Sequence, residues 1–77
     1  MSRFYFHLMS REDRIVDVKG KELDTLIAAH EHGRILVEKI LSHVVYHEAR
    51  NWKVVVSNDE DNFQLVIPFA AFHKLHK

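Results

Sequence analysis

Histidine is the residue type in this chain with the greatest capacity for chemistry. Seven of the 77 residues are histidines, and an imidazole can bind a metal, move a proton or change its charge near neutral pH. They are His7, His30, His32, His43, His47, His73 and His76. His43 and His47 stand four apart, a spacing that on a helix can point both rings at one metal ion. A structural zinc needs four ligands, and His32 would lie about 16 Å along the axis from His43. We therefore expect surface histidines without a metal site; His73, His76 or a second protomer would have to complete one.

Sequence motifs for catalysis are also missing. His47 and Glu48 do not begin a metalloprotease motif, because Asn51 stands where its second histidine would be. With two glycines, Gly20 and Gly33, the chain has no Gly-rich phosphate loop, and its serines show no pattern of an activated nucleophile. The lack of cysteine excludes disulfides, a thiolate zinc site and a catalytic thiol. We predict neither an enzyme nor a cofactor.

The charge balance restricts the partners of the chain. Eleven lysines and arginines match eleven aspartates and glutamates, for a formal net charge of zero. Such a balance is not the electrostatic footprint of a nucleic-acid or anionic-membrane binder. The apolar run near the start is too short for a secretory signal, and no run approaches the roughly 20 apolar residues of a membrane span. We expect a cytoplasmic protein.

One long amphipathic helix would position most of the histidines. The pattern predicts it over residues 25 to about 50, with Asp24 or Thr25 as N-cap. Its core-facing stripe consists of Leu26, Ala29, Gly33, Leu36, Val37, Ile40, Leu41 and Val44. About 25 helical residues would span roughly 38 Å, against about 17 to 20 Å for a short strand. The helix would overhang its sheet unless it breaks near Gly33.

Apolar residues outside the stripe point to self-association. Ile35 and Tyr46 lie roughly opposite the stripe, and Val45 lies to one side of it. A chain this short buries little more than about 60% of its unfolded surface, so oligomerisation is an available reinforcement. A kinked helix with scattered exposed apolar residues is the alternative. We predict an interface formed by Ile35, Val45 and Tyr46.

Four segments with two-residue apolar alternation predict strands: 3–9, 14–18, 52–57 and 63–67. Pro68 should limit the last of them, because proline cannot donate to a ladder. The fold class is α+β, a single domain over residues 1–77 with the plan β-β-α-β-β. We predict a four-stranded antiparallel sheet in the order 2-1-3-4, covered by the helix. The pattern does not decide the conformation after Pro68.

Short stretches over nearly the whole chain carry a family resemblance: Arg3-Phe4-Tyr5-Phe6-His7-Leu8, Asp17-Val18-Lys19-Gly20-Lys21-Glu22-Leu23, Ala28-Ala29, Trp52, Val54-Val55-Val56-Ser57-Asn58-Asp59-Glu60 and Ile67-Pro68-Phe69. The chain resembles a family of small alphaproteobacterial proteins of unknown function. It departs from that pattern in lacking glycine in both hairpin turns and in its histidine-rich helix. The resemblance implies the same element order and a bacterial cytoplasm, and it implies no site residues.

Two functions remain open at this level. The first is a non-enzymatic homodimeric or protein-binding regulatory module. The second is a nucleic-acid-binding regulatory module, in which Tyr5 and His7, with Lys53 beside them, form a stacking platform for single strands. The zero net charge favours the first.

Overall fold

The protein is an antiparallel sheet covered on one face by a helix. The structure is a computed structural model; it describes residues 2–44, 46–60 and 62–75, with side chains for all of these except 46, 47 and 73–75. In these ranges the elements are β1 (Ser2–Met9), β2 (Arg14–Ile15), β3 (Lys21–Leu23), α1 (Leu26–Leu41), α2 (Tyr46–Ala49), β4 (Lys53–Asn58), β5 (Phe63–Pro68) and a 3₁₀ segment (Phe69–Leu75). The predicted α+β class and the plan β-β-α-β-β are confirmed.

The sheet places β1 and β4 at its centre. The strand order is β2-β1-β4-β5, β3 pairs with β1 beyond β2, and every pair is antiparallel. The central ladder runs from Phe4 opposite Asn58 to Met9 opposite Lys53. The order 2-1-3-4 predicted from the sequence is therefore confirmed, with the two strands of densest apolar alternation in the middle.

The core lies between the sheet and α1. Alternate side chains of each strand point to the same face, so Phe4, Phe6, Val54, Val56 and Ile67 all turn toward the helix and are buried. Helix α1 contributes Ala29, Val37 and Leu41 to the same core. Burial of each large apolar side chain stabilises the fold by about 1.5 to 3 kcal/mol.

Helix α1 begins at a cap and remains continuous through its glycine. Thr25 has extended backbone, and its Oγ1 accepts a hydrogen bond from the Ala28 N–H at 3.0 Å, which identifies Thr25 rather than Asp24 as the N-cap. A Cβ on Gly33 would overlap Cδ1 of Ile67. The glycine thus lets the helix approach β5 closely, and it does not break the helix.

The prediction of one helix reaching about residue 50 is wrong, because α1 ends at Leu41. Ser42 Oγ donates to the carbonyl of Lys39 at 2.6 Å, and the His43 N–H donates to the carbonyl of Ile40 at 2.9 Å. These bonds satisfy carbonyl groups that would otherwise have been left free at the helix end. The helix can therefore end after Leu41 with the carbonyl groups of Lys39 and Ile40 satisfied.

The shorter helix removes the length argument for a partner. The 16 residues of α1 span about 24 Å. The eight residues of β1 extend about 26 Å. Helix and sheet match in length, and the separate α2 follows over Tyr46–Ala49. The predicted overhang does not exist.

The predicted strand over residues 14–18 is divided in the structure. Between the pair Leu8–Ile15 and the pair Phe4–Lys21, β1 advances four residues and the opposite chain six. Two extra residues therefore bulge out of the edge, and β2 and β3 take the place of the one strand. The bulge leaves the middle of β1 without a strand partner on that side.

The segment after Pro68 forms the 3₁₀ segment Phe69–Leu75, with a kink at Phe72. Phe69 is buried in the core, and its N–H donates to the carbonyl of Trp52 at 3.0 Å. None of the helices in the described ranges is long and apolar enough to cross a membrane.

Candidate functional site

The histidines are dispersed in the part of the chain that the structure describes. Within it, no three His, Asp or Glu side chains come together as possible metal ligands. His43 lies exposed at the end of α1, with Nδ1 3.0 Å from the carbonyl oxygen of Lys39. The side chains of His47 and His73, and all of His76, lie outside the described residues. The expectation that His43 and His47 form no metal site stays a prediction.

His32 has a structural place that the sequence did not reveal. Its ring meets Phe6 edge to face, with ring centroids 4.7 Å apart. Burial lowers the pKa of His32 below its ordinary 6.5, and nearby Lys21 and Lys39 act in the same direction. The neutral ring is favoured in the folded protein, and it packs as part of the core rim.

His7 holds a fixed tautomer on β1. Its Nδ1 accepts a hydrogen bond from the backbone N–H of Asp17 at 3.1 Å. A ring nitrogen that accepts a hydrogen bond has no proton of its own, so the neutral ring carries its proton on Nε2. Nε2 lies 3.0 Å from Ser57 Oγ. His7 is the donor in that contact, and Ser57 is the acceptor.

The direction of this hydrogen bond is opposite to the one that activates a serine nucleophile. A serine nucleophile needs an imidazole nitrogen that can take its proton, whereas Nε2 of His7 already carries one. Ser57 is also only 5% exposed. The contact positions two neighbouring strands and the loop that contains Asp17, and it does not form a nucleophile and base.

Asp17 organises the bulge between β2 and β3. Its carboxylate accepts hydrogen bonds from three backbone N–H groups, those of Phe6, Lys19 and Gly20, each at 3.1 Å. Burial by itself raises the pKa of Asp17, but the three donors outweigh it and hold the pKa below its ordinary value. Gly20 adopts φ +69°, and a Cβ there would lie 2.9 Å from Tyr5 Cε2. The Asp17 carboxylate thus accepts the hydrogen bond from the Phe6 N–H that a neighbouring strand would otherwise accept.

A local signal could have identified the turn. Aspartate three residues before a glycine is typical of a turn in which the carboxylate binds the backbone ahead of it. The bond from Asp17 to β1 had no such signal, because the two partners are 11 residues apart in sequence.

The face of the sheet opposite α1, here called the outer face, is lined by the alternate residues Tyr5, His7, Val55, Ser57, Phe63 and Val66. His7, Val55 and Val66 form one row across three strands. The rings of Tyr5 and His7 are parallel, with centroids 6.3 Å apart. Phe63 is 63% exposed and Val66 41%. The buried helical residues join the core on the other side, so no helix in the described ranges covers this face.

Tyr5 and His7 also border an open depression of about 220 Å³ on the outer face. Its rim includes Asp17 and Asp59. Two carboxylates there disfavour a phosphate backbone, because like charges repel at short range. The depression is better suited to polar or cationic groups of a partner than to a nucleic acid.

One of the three predicted interface side chains is described. Ile35 is 46% exposed on α1, between Glu31 and Glu38, which both pair with Arg34. Val45 lies outside the described residues, as does the side chain of Tyr46. An interface at this side of the helix stays a prediction.

A second concave surface lies on the helix side of the sheet. It is an open groove of about 320 Å³ lined by Leu8, Ile40, Trp52 and Phe69, with Glu48 at its rim. Its nearly apolar lining can hold an apolar side chain and offers little to orient a polar substrate.

Comparison with known proteins places this arrangement in a family. A family model described as "Domain of unknown function (DUF6894)" matches residues 3–70. The match includes residues 3–9 of β1, the bulge with Asp17, and β4 and β5, which carry the rest of the outer face. No curated protein and no solved structure matches the chain. The resemblance to a family of unknown function is confirmed.

Proposed function

The chain belongs to the DUF6894 family, whose function is unknown, and we propose that it is a non-enzymatic module that works by protein association, first of all as a homodimer. The single observation that carries the proposal is the bare outer face. Helix α1 covers one side of the sheet, while Phe63 and Val66 are exposed on the other. A second protein surface would bury them and enlarge a small core.

The outer face also supports binding over catalysis. The potential nucleophile Ser57 accepts its hydrogen bond from His7 and is nearly inaccessible. His7 itself is held between Ser57 and the backbone of Asp17. These groups form a rigid, satisfied surface, which is what recognition of a partner requires.

Analytical ultracentrifugation tests the proposal. We expect the purified chain to change from monomer to dimer over about 5 to 500 µM, the range in which a small interface associates. Phe63→Glu should shift it toward the monomer by placing a charge on the outer face. Ile27→Glu is the matched control, because Ile27 is 83% exposed on α1 and should leave the mass unchanged.

A third variant separates the two candidate surfaces. Tyr46→Glu should leave the mass unchanged if the outer face is the contact. A shift with Tyr46→Glu and none with Phe63→Glu would move the interface to the helix side, over Ile35, Val45 and Tyr46. A wild-type monomer throughout the concentration range would contradict the proposal.

The nucleic-acid alternative has a direct test of its own. The parallel rings of Tyr5 and His7 are the observation in its favour, and the acidic rim of the same depression opposes it. We expect no salt-sensitive binding when single- and double-stranded oligonucleotides are titrated at low salt. Salt-dependent binding that Tyr5→Ala removes would reverse this preference.

We infer a cytoplasmic location. A chain without cysteine has no need of an oxidising compartment. Fluorescence imaging of a tagged chain in its native cell would show a diffuse signal, and signal confined to the envelope would contradict the inference.

A further inference from the structure

The two edges of the sheet differ in length and charge. One edge consists of β2 and β3, with two and three residues, and carries Arg14, Lys21 and Glu22. The other edge is β5, six residues without a charged side chain. Natural sheets protect free edges with short strands, charges and prolines. The first edge has two of these protections, and β5 has only Pro68 at its end.

Two hydrogen bonds establish which way the backbone of β4 points. The Asn58 N–H donates to the Asn62 carbonyl and the Phe69 N–H donates to the Trp52 carbonyl, both at 3.0 Å. Residues 52 and 58 therefore face β5. Because backbone groups alternate in direction along a strand, residues 54 and 56 face β5 as well.

The same alternation identifies the free groups of β5. Leu65 and Ile67 are the partners of residues 56 and 54, so they bond inward. Val66, between them, directs its N–H and C=O away from β4. Among the described strands none pairs with β5 on that side. Pro68, next in the outward series, offers a carbonyl and no N–H. Within the described part of the chain, the Val66 N–H is thus a donor without a strand partner, in the middle of an uncharged edge.

We propose that β5 is the contact through which two copies of this chain join, by antiparallel pairing of β5 with β5 of the second copy about a two-fold axis. The inference rests on the proposed self-association and places its contact at β5, the edge strand that carries Phe63 and Val66 of the outer face. Each Val66 would exchange its water-exposed N–H and C=O for backbone partners in the other copy, in a sheet that continues through both molecules.

A second copy fits this edge for two reasons. An antiparallel pair is self-complementary, and a strand without charges meets itself without like-charge repulsion. The pairing also joins the two outer faces side by side. Val66 of each copy then packs beside Val66 of the other across the axis, which covers part of the apolar surface exposed on the outer face.

Residue-resolved amide hydrogen exchange is the test, run on the wild-type chain over the same concentration series as sedimentation. We expect the Val66 N–H to exchange rapidly at low concentration and to become at least about tenfold slower as the dimer forms. The Leu65 and Ile67 N–H groups are internal controls, because they should be protected in monomer and dimer alike. Stacking of two outer faces would leave the Val66 N–H exchanging rapidly.

Variants at the same position supply a second readout. Val66→Lys should raise the dimer dissociation constant about tenfold or more, because two ammonium groups approach each other across the axis. Val66→Thr is the matched control, since it keeps the shape and the backbone donor and should change that constant less than about threefold. Ile27→Lys adds the same charge far from the edge and should have no effect. Trp52 fluorescence would confirm that each variant is folded.

The outcomes separate the two claims. A chain that dimerises while the Val66 N–H stays unprotected, or whose dimer tolerates Val66→Lys, overturns the edge pairing and leaves self-association standing. A chain that remains monomeric overturns both. Dimerisation with protection of Val66 and sensitivity to Val66→Lys supports both.

Discussion

We expect replacement of Asp17 by alanine to destabilise the fold by about 2 to 3 kcal/mol, because three backbone N–H groups lose their acceptor at once. The N–H of Phe6 contributes most. It lies part-buried in the gap between β2 and β3, and leaving it unsatisfied costs about 1 to 2 kcal/mol. The Lys19 bond is exposed and the part-buried Gly20 bond is local to the same turn, and the loss of each adds about 0.5 kcal/mol.

Urea unfolding followed by Trp52 fluorescence measures this loss at pH 7. A domain of this length has a free energy of unfolding of about 4 to 11 kcal/mol, so the variant would lose a large share. Its Tm should fall by about 8 to 24 °C. Asp17→Asn keeps a neutral acceptor and should lose roughly half as much. Asp13→Ala, in the preceding turn, is the control and should stay within about 0.5 kcal/mol of wild type.

The pH dependence follows from the lowered pKa of Asp17. In the folded chain that pKa lies below its ordinary value of 3.8. The carboxylate therefore stabilises the fold fully above the unfolded pKa, and the contribution is lost as the pH falls through the folded pKa. The stability difference between wild type and Asp17→Asn should be constant from pH 7 to about 5 and shrink below about pH 4. Equal stability of wild type and Asp17→Ala at pH 7, or a difference that grows in acid, would refute the reasoning.

Two further predictions concern α1, both measured by urea unfolding. Thr25→Ala should destabilise by about 1 kcal/mol by removing the acceptor of the Ala28 N–H, whereas Asp24→Ala should cost less than about 0.5 kcal/mol; equal losses would show that Thr25 is not the cap. Gly33→Ala should destabilise by about 1 kcal/mol net, because its Cβ would overlap Cδ1 of Ile67 and outweigh the gain in helix propensity. In an Ile67→Val background, which lacks Cδ1, the same change should become stabilising by up to about 1 kcal/mol; an unchanged sign would exclude that contact as the cause.

The plan of the fold was predictable because its determinants are local. Two-residue alternation in residues 3–9 and 52–57 is enough to assign Phe4, Phe6, Val54 and Val56 to one face, and the structure buries all four. Each apolar periodicity indicates which side of its strand or helix must be buried. The antiparallel order follows from the short connections of the two hairpins.

The end of the helix was not predictable, because the competing energies are small. Residues 42–44 differ from helix formers by only tenths of a kcal/mol each. The bonds of Ser42 Oγ and the His43 N–H at the last turn decide the matter. The apolar periodicity continues past Leu41 in the sequence, and it carries no information about those hydrogen bonds.

By itself, the sequence determined the buried face of the central strands, the class of the fold, and the absence of cysteine chemistry and of excess charge. It was wrong at both ends of the predicted helical stripe, because Leu26 and Val44 are each 44% exposed. Tertiary structure alone decided the proton position on His7, the hydrogen bond from the Phe6 N–H to Asp17, and the exposure of Val66 at an edge that none of the described strands pairs with. The physical reason is distance along the chain. His7 and Ser57 are 50 residues apart in sequence, yet Nε2 of His7 lies 3.0 Å from Ser57 Oγ. A local sequence pattern predicts whether a side chain is buried or exposed, and it does not identify the distant residue that the side chain contacts.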